Sequence, residues 1–250
     1  MPKRWQKAII VGASSGIGEA LSRKLAQSGC SVAMVARRID TLKHIAHELD
    51  SSSCPTPLCY EHDVHDLENI TALFQQICHN LGGLDLFIYS AGVMPAVHPE
   101  KSDFALDKNI IDTNILGATA WLNEAADRFQ TAQAGTLAGV SSVAADRGRR
   151  SMIAYAASKA YMDTYLEGMR NRLSRYNVKV ATIKPGPVDT PLLDQLDKGR
   201  LPMLISADKA AEIILNGLHR GGEIYVPGKW KPVMKLIQCV PSPLFSRLNL

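Results

Sequence analysis

Tyr155 and Lys159 stand four positions apart in IAYAASKAYMD, the stretch from Ile153 to Asp163, among alanines and other small residues. Alanine is the strongest helix former, and side chains at i and i+4 of a helix share a face, so the phenol and the ammonium point the same way. An opposite charge within about 4–6 Å stabilises a phenolate and can lower a tyrosine pKa from about 10 by roughly 1–3 pH units. A phenol so tuned serves as both acid and base. An ordinary amphipathic helix with a half-buried tyrosine and a snorkelling lysine carries the same two residues, so the pair alone does not establish catalysis.

The elements that must position the pair are written as alternating patterns. Short apolar runs, Ala8–Val11, Ser31–Ala36, LCYEHDV, DLFIYSAG, GTLAGVSS, VKVATIKPG and EIYV, read as strands. Between them the periodicity predicts helices over Ile17–Gln27, Thr41–Leu49, Leu67–Leu81, about Asp107 to Thr131, the Tyr155 stretch to about Tyr176, and Ala207–Leu218. Gly29, Gly82-Gly83 and Gly221-Gly222 stand where helices should end. Continuous apolar strands separated by helices predict an α/β fold: one doubly wound domain over 1–250, with a parallel sheet of about seven strands and helices on both faces. Ligands of such sheets lie at the carboxyl ends of the strands, near the point where strand order reverses. The segments VGASSGIG, ARR, DV, SAG, SS and KPGPVDT therefore converge on one site.

VGASSGIG has glycines at 12, 16 and 18. Gly12 suits a tight turn, Gly16 a close backbone approach and Gly18 the packing of helix on sheet; with Ser14, Ser15 and Ile17 they form a cradle for a pyrophosphate at a helix N-terminus. About 20 residues on, the second strand ends in Ala36-Arg37-Arg38, where an NAD site would carry an acid for the ribose 2′-hydroxyl. A guanidinium there pairs with a 2′-phosphate, which favours NADP(H) over NAD(H), with Arg37 the first choice and Arg38 the second.

With Gly12-x3-Gly16-x-Gly18 early and Tyr155-x3-Lys159 late, the sequence resembles the short-chain dehydrogenase/reductase family from about Lys7 to Thr190, and more loosely to Pro227. Asp63-Val64 looks like the family's adenine pair, Asn114 in DTNILGA like its site asparagine, and Ser142 like its catalytic serine, with Ser141 beside it. Pro185, Gly186, Val188 and Thr190 match its nicotinamide segment. Two positions depart: Tyr89 and Ser90 precede Ala91-Gly92 where the family usually has two asparagines, and Val11 stands where threonine is common. The resemblance implies a single-domain Rossmann-type, NADP(H)-dependent oxidoreductase that moves hydride between nicotinamide and a carbonyl or secondary alcohol. Tyr155 would be the general acid/base, and Ser142 would hold the substrate oxygen. Lys159 would bind the nicotinamide ribose and lower the Tyr155 pKa, and Asn114 would position a water that links Lys159 to solvent. A homodimer or homotetramer is implied by the same resemblance. The alternative is a non-catalytic NADP(H)-binding redox sensor or scaffold; such proteins tend to lose the tyrosine or lysine, which are both present here.

The rest of the chain bounds these readings. A formal net charge of +4 over 250 residues, with no basic cluster interleaved with aromatics, argues against nucleic acid. Five scattered cysteines without a CxxC pair, a four-residue apolar run before the first glycine, and no apolar run near 20 residues predict a cytoplasmic protein. Cys54, Cys59, His62 and His65 are spaced too loosely for a zinc site, so no metal is expected. The leucine-rich segment about 191–206 has the length of a lid. With Val93, Met94, Val143, Met152 and Ile153 it either lines a pocket for a hydrophobic substrate or packs under the lid. The run Asp146-Arg147-Gly148-Arg149-Arg150 either attracts an anionic substrate tail, such as a phosphate-bearing thioester carrier, or is a solvated loop, the commoner case. In the basic and apolar extension about 228–250, Pro241 and Pro243 break any long helix, so packing on the domain or on a sister subunit is favoured over membrane contact.

Overall fold

Valine, isoleucine, alanine and methionine fill both sides of the pleat in the strands, and in the computed structural model, which describes residues 5–50, 54–96 and 101–247, they form a parallel sheet buried on both faces. The elements in chain order are β1 (Lys7–Val11), α1 (Gly16–Gln27), β2 (Ser31–Ala36), α2 (Ile39–Leu49), β3 (Leu58–Glu61), α3 (Ile70–Leu81), β4 (Leu86–Tyr89), α4 (Phe104–Ile111) and α5 (Ala118–Ala132). Then follow β5 (Gly135–Val140), α6 (Ile153–Leu173), β6 (Val178–Pro185), β7 (Val188–Asp189), β8 (Ile205–Ser206), α7 (Ala207–Leu218), β9 (Gly222–Val226), α8 (Trp230–Cys239) and α9 (Ser242–Phe245). Seven strands pair in the order β3-β2-β1-β4-β5-β6-β9, all parallel. The doubly wound, Rossmann-type expectation holds.

Alternation along each strand divides the core between two faces. Ala8, Ile10, Met34 and Ile88 meet Leu21 and Leu25 of α1, Leu42 of α2 and Ile214 of α7. Ile9, Val11, Val35 and Phe87 meet Phe74 of α3, Trp121 and Phe129 of α5, and Leu166 of α6. A one-residue slip of any central strand would exchange these sets, so packing enforces the register that brings the strand ends level.

Three stretches differ from the sequence expectations. The helix expected from Asp107 to Thr131 runs instead from Phe104 to Ala132 and is interrupted by a wide π-helical turn, Asp112–Gly117. Helix α3 starts at Ile70 because Asp66 and Leu67 close tight turns onto Asp63 and His65. The extension from 228 is largely helical: Pro232 sits in the first turn of α8, where a missing N–H costs little, and Pro241 follows its end. Its last three residues, like residues 1–4, lie outside the described residues. Trp230 and Met234 bury against Val143 and Tyr225, so the extension packs on the domain. The Arg147 guanidinium donates to the carbonyls of Ile237 (3.3 Å), Gln238 (3.1 Å) and Val240 (2.8 Å) and lies 4.4 Å from the Phe245 ring centroid. No helix among the described residues is long and apolar enough to cross a membrane.

Behind the ends of β5 and β6 the chain buries a charge cluster. Lys184 on β6, 2% exposed, donates to Asp146, to Asp163 at 2.7 Å and to Glu223 at 3.4 Å, while the Tyr225 hydroxyl donates to Asp146 at 3.0 Å. Burial alone would lower the Lys184 pKa, but the bonds from Asp146 and Asp163 outweigh it and hold the ammonium above its usual range. Burial pushes the Asp163 carboxyl up, against the pull of Lys184 and Ser141. Removing one partner of such a cluster strands the others in a low-dielectric interior. Lys184→Met is expected to destabilise the fold by about 3–5 kcal/mol, measured by urea unfolding; a midpoint unchanged from the parent would mean the cluster contributes nothing net.

Candidate active site

The strand order reverses between β1 and β4, and the crevice opens above their carboxyl ends. Gly12 has φ +87°, and its N–H donates to Val35 O at 2.8 Å. A Cβ at Gly12 would stand 2.4 Å from the Ala91 nitrogen, so the loops after β1 and β4 touch backbone to backbone. A Cβ at Gly18 would stand 2.2 Å from Gly12 O, which seats α1 directly on the loop. Ser15 is the N-cap of α1 but makes no side-chain cap bond, so the first-turn N–H groups keep their donors for a ligand.

One cleft of about 400 Å³ is lined by Gly12, Ser14, Ser15, Gly16, Ile17, Arg37 and Arg38 at one end, by Asp63, Val64, Ser90, Ala91 and Gly92 in the middle, and by Ser142, Tyr155, Lys159, Pro185, Gly186, Val188 and Thr190 at the other. Of the catalytic and cofactor residues expected from the sequence, only Gly18 and Asn114 do not line it; Gly18 packs beneath the turn, and Asn114 lies behind the β4 loop.

The two arginines differ. Arg38 is docked on the glycine loop: its Nη2 donates to Ser14 Oγ (2.9 Å), Ser14 O (3.2 Å) and Ser15 Oγ (2.9 Å), and its Nε to Ser14 Oγ (3.2 Å). Arg37, with a side chain 65% exposed, lies 3.8 Å from Asp63. Both arginines lie past the end of β2, Arg38 as the N-cap of α2, so the chain's turn into that helix lays Arg38 on the glycine loop and leaves Arg37 in the open mouth of the cleft.

Tyr155 and Lys159 share the buried face of α6, 7% and 4% exposed, as the four-residue spacing requires. Burial pushes the Tyr155 hydroxyl up, opposed by a hydrogen bond with Ser142. Burial pushes Lys159 down to about 8, opposed by Asp163. The expected lowering of Tyr155 by Lys159 is therefore not found: the ammonium donates to Val140 O at 2.9 Å and lies 5.7 Å from the Tyr155 ring centroid, and desolvation outweighs the attraction. Ser142, at the end of β5 in extended backbone, accepts from Ala144 N at 3.0 Å. Ser141 turns the other way and donates to Lys159 O at 3.0 Å.

Asn114, fully buried in the π turn, accepts from Val93 N (2.9 Å) and donates to Val93 O (3.1 Å) and to Ser158 Oγ (3.0 Å). A side chain at Gly92 would come within 3.3 Å of Lys159 Nζ and 3.4 Å of Asn114 Oδ1, so both polar groups converge on that glycine.

Beyond the hydroxyls the cleft is walled by apolar side chains, among them Val93, Met94, Val143, Met152 and Leu193. The chain leaves β7, makes two short 3₁₀ turns and returns through β8, which pairs with β7, so residues 190–204 form a loop clasped at its base. Ile153 points outward, 71% exposed, and is not part of the wall. Three further lining residues stand outside the catalytic and cofactor set expected from the sequence. His62 is buried with Nε2 unpartnered. Trp230 lies so close to Gly186 that a Cβ there would be 1.9 Å from its Nε1. Arg149 belongs to the basic run Asp146–Arg150, for which the sequence admits either an anionic-tail site or a solvated loop, and it lines the cleft. Only the run of arginines was a visible signal; nothing local marks a tryptophan 44 residues after Gly186 (230 − 186) as its neighbour. His65 Nε2 lies 2.8 Å from Thr113 Oγ1, and among the described residues no group of three His, Cys, Asp or Glu side chains could hold a metal.

The model of the short chain dehydrogenase family matches residues 6–201. An uncharacterized oxidoreductase of Myxococcus xanthus is 32% identical over 246 residues, 97% of this chain and 95% of the relative. Among solved structures, a short-chain dehydrogenase from Sphingobium yanoikuyae in complex with NADPH superposes with a TM-score of 0.81 at 21% identity, covering 98% of this chain and 96% of its own. A 3-ketoacyl-(acyl-carrier-protein) reductase from Brucella melitensis complexed with NADH superposes with a TM-score of 0.80 at 20% identity, covering 88% and 96%. The family match over most of the chain joins a doubly wound sheet whose strand ends gather a glycine turn, a serine, a tyrosine and a lysine, and the chain belongs to the short-chain dehydrogenase family of oxidoreductases.

Proposed function

We propose that the protein is an NADP(H)-dependent reductase acting on the carbonyl group of a largely apolar small molecule, with Tyr155 as general acid/base. The observation that carries this reading is one continuous cleft with an anchored guanidinium at one end and the Ser142 and Tyr155 hydroxyls at the other. The residues fit a dinucleotide. The tight Gly12 turn leaves room for a backbone-hugging pyrophosphate, the uncapped start of α1 supplies N–H donors, and no acid occupies the end of β2. Of the two solved neighbours above, one is complexed with NADPH and the other with NADH, so the choice between them rests on the arginines.

A bound nicotinamide dinucleotide supplies or accepts the hydride. The chain handles the oxygen. Ser142 Oγ hydrogen-bonds the substrate oxygen as charge develops on it, and Tyr155 donates its proton to that oxygen. Because burial raises the Tyr155 pKa, the phenol is fully protonated at neutral pH, which suits an acid and therefore the reductive direction. Lys159 and Asn114, converging at Gly92, orient the far side of the phenol's helix turn and give the ammonium a polar exit. The 190–204 loop would close the apolar end from water.

Tyr155→Phe is expected to retain NADPH binding by fluorescence titration and to lose at least about 10²-fold in kcat; full turnover would remove Tyr155 from the chemistry. Arg38→Ala should weaken NADPH at least about tenfold more than NADH, the size of a lost charge-assisted bond, with Arg37→Ala the smaller effect. Equal losses for both dinucleotides would show that neither arginine reads the phosphate. Lys159 has a folded pKa of about 8 against 10.5 as its ordinary value, so the unfolded chain holds the proton more tightly. Below pH 8 the buried ammonium therefore costs roughly 3 kcal/mol, and the cost fades as pH rises from 8 to 10.5. Lys159→Met should accordingly stabilise the apoprotein at pH 7, by an amount that shrinks toward pH 10 in urea titrations. A loss of stability at every pH contradicts this.

A further inference from the structure

The loop joining Ser142 to Tyr155 carries one cation that the proposed chemistry does not use. Arg149 is partly buried on the cleft wall, in the half lined by Val143, Met152 and Leu193. Among the described residues its side chain makes no hydrogen bond and no ion pair. Burial pushes its guanidinium down, and the attraction of Asp146 only partly compensates. Asp146 attracts it only at a distance: one of its carboxylate oxygens accepts from Lys184 and the other from the Tyr225 hydroxyl at 3.0 Å. Its neighbours behave differently: Arg147 is spent on the carbonyls ending α8, and Arg150 faces outward. The other charged side chains lining the cleft, Arg37, Arg38, Asp63 and Lys159, belong to the dinucleotide end or to the Tyr155 helix, so the apolar half holds a single formal charge among the described residues. A half-buried guanidinium without a counter-charge is costly, and a ligand anion removes the cost while gaining a two-pronged, charge-assisted bond.

We propose that Arg149 binds an anionic group, carboxylate or phosphate, carried by the substrate across an apolar segment from its reacting carbonyl. The substrate class is then amphipathic: an oxo acid or a phosphorylated ketone with a hydrocarbon body, not a neutral ketone. This rests on the reductase reading for its carbonyl, and on the cleft alone for its anion.

The test uses the full chain, with and without NADP⁺, and decanoate, decyl phosphate and decanamide as probes in calorimetric titrations. The parent protein should bind at least one of the two anions about tenfold or more tighter than decanamide, the value of a charged hydrogen bond, and the tighter of the two names the anion. Arg149→Gln should abolish that preference while changing decanamide binding little, and Arg149→Lys should restore part of it. No preference in the parent, or equal weakening of all three probes in Arg149→Gln, overturns the proposal. NADPH oxidation with an oxodecanoate and its methyl ester is followed in parallel. Preference lost in Arg149→Gln with no turnover of either compound supports the anion site and sinks the reductase reading; turnover with no preference for the acid does the reverse.

Discussion

One buried ammonium holds the two arms of the candidate chemistry together. Lys184 reaches Asp146, four residues past Ser142, and Asp163, one turn past Lys159, and it leans on Glu223 of the last strand of the sheet. Ser142 and Tyr155 belong to different elements, and the proposed function requires their hydroxyls to meet one substrate oxygen to within a fraction of an ångström. Hydrophobic packing sets a strand or helix position less sharply than a network whose members have defined directions and a large penalty when unpaired. The cluster also explains why Asp146 turns away from the basic run to which it belongs in the sequence, and with it why Arg149 has no ion-pair partner among the described residues.

Burial acts in opposite senses on the two residues of the helix pair. It favours the protonated phenol and the unprotonated amine, so desolvation moves both toward neutrality. The resemblance to a family in which the lysine lowers the tyrosine pKa leads to the contrary expectation. The difference lies in geometry that no spacing rule conveys: the Lys159 ammonium is spent on the Val140 carbonyl, and the Tyr155 side chain packs with Ile110, Ala144 and Met152.

What was legible in the chain is what repeats or what lies close together. Apolar alternation and glycine punctuation disclose seven strands and their order of use, and the strand-end rule brings segments as distant as Gly12 and Thr190 to one cleft. Contacts between elements are a different matter. Lys184, Asp146, Asp163 and Glu223 are separated by 17 residues or more (163 − 146), so no local pattern joins them. Trp230 lies past the stretch the motifs cover, yet its indole closes the wall at Gly186. Arg37 and Arg38 are chemically equivalent in sequence, and only the path of the chain from β2 into α2 decides which one the glycine loop holds.

The π turn at Asp112–Gly117 makes this part of the molecule intolerant of length changes. One residue more than an α-helix needs is accommodated there, and it aims the Asn114 amide at both polar atoms of the Val93 peptide. Deleting a single residue between 104 and 113 would let the segment relax to regular winding and would turn that amide about 100° around the axis, leaving a peptide bond beside the phenol without its partner.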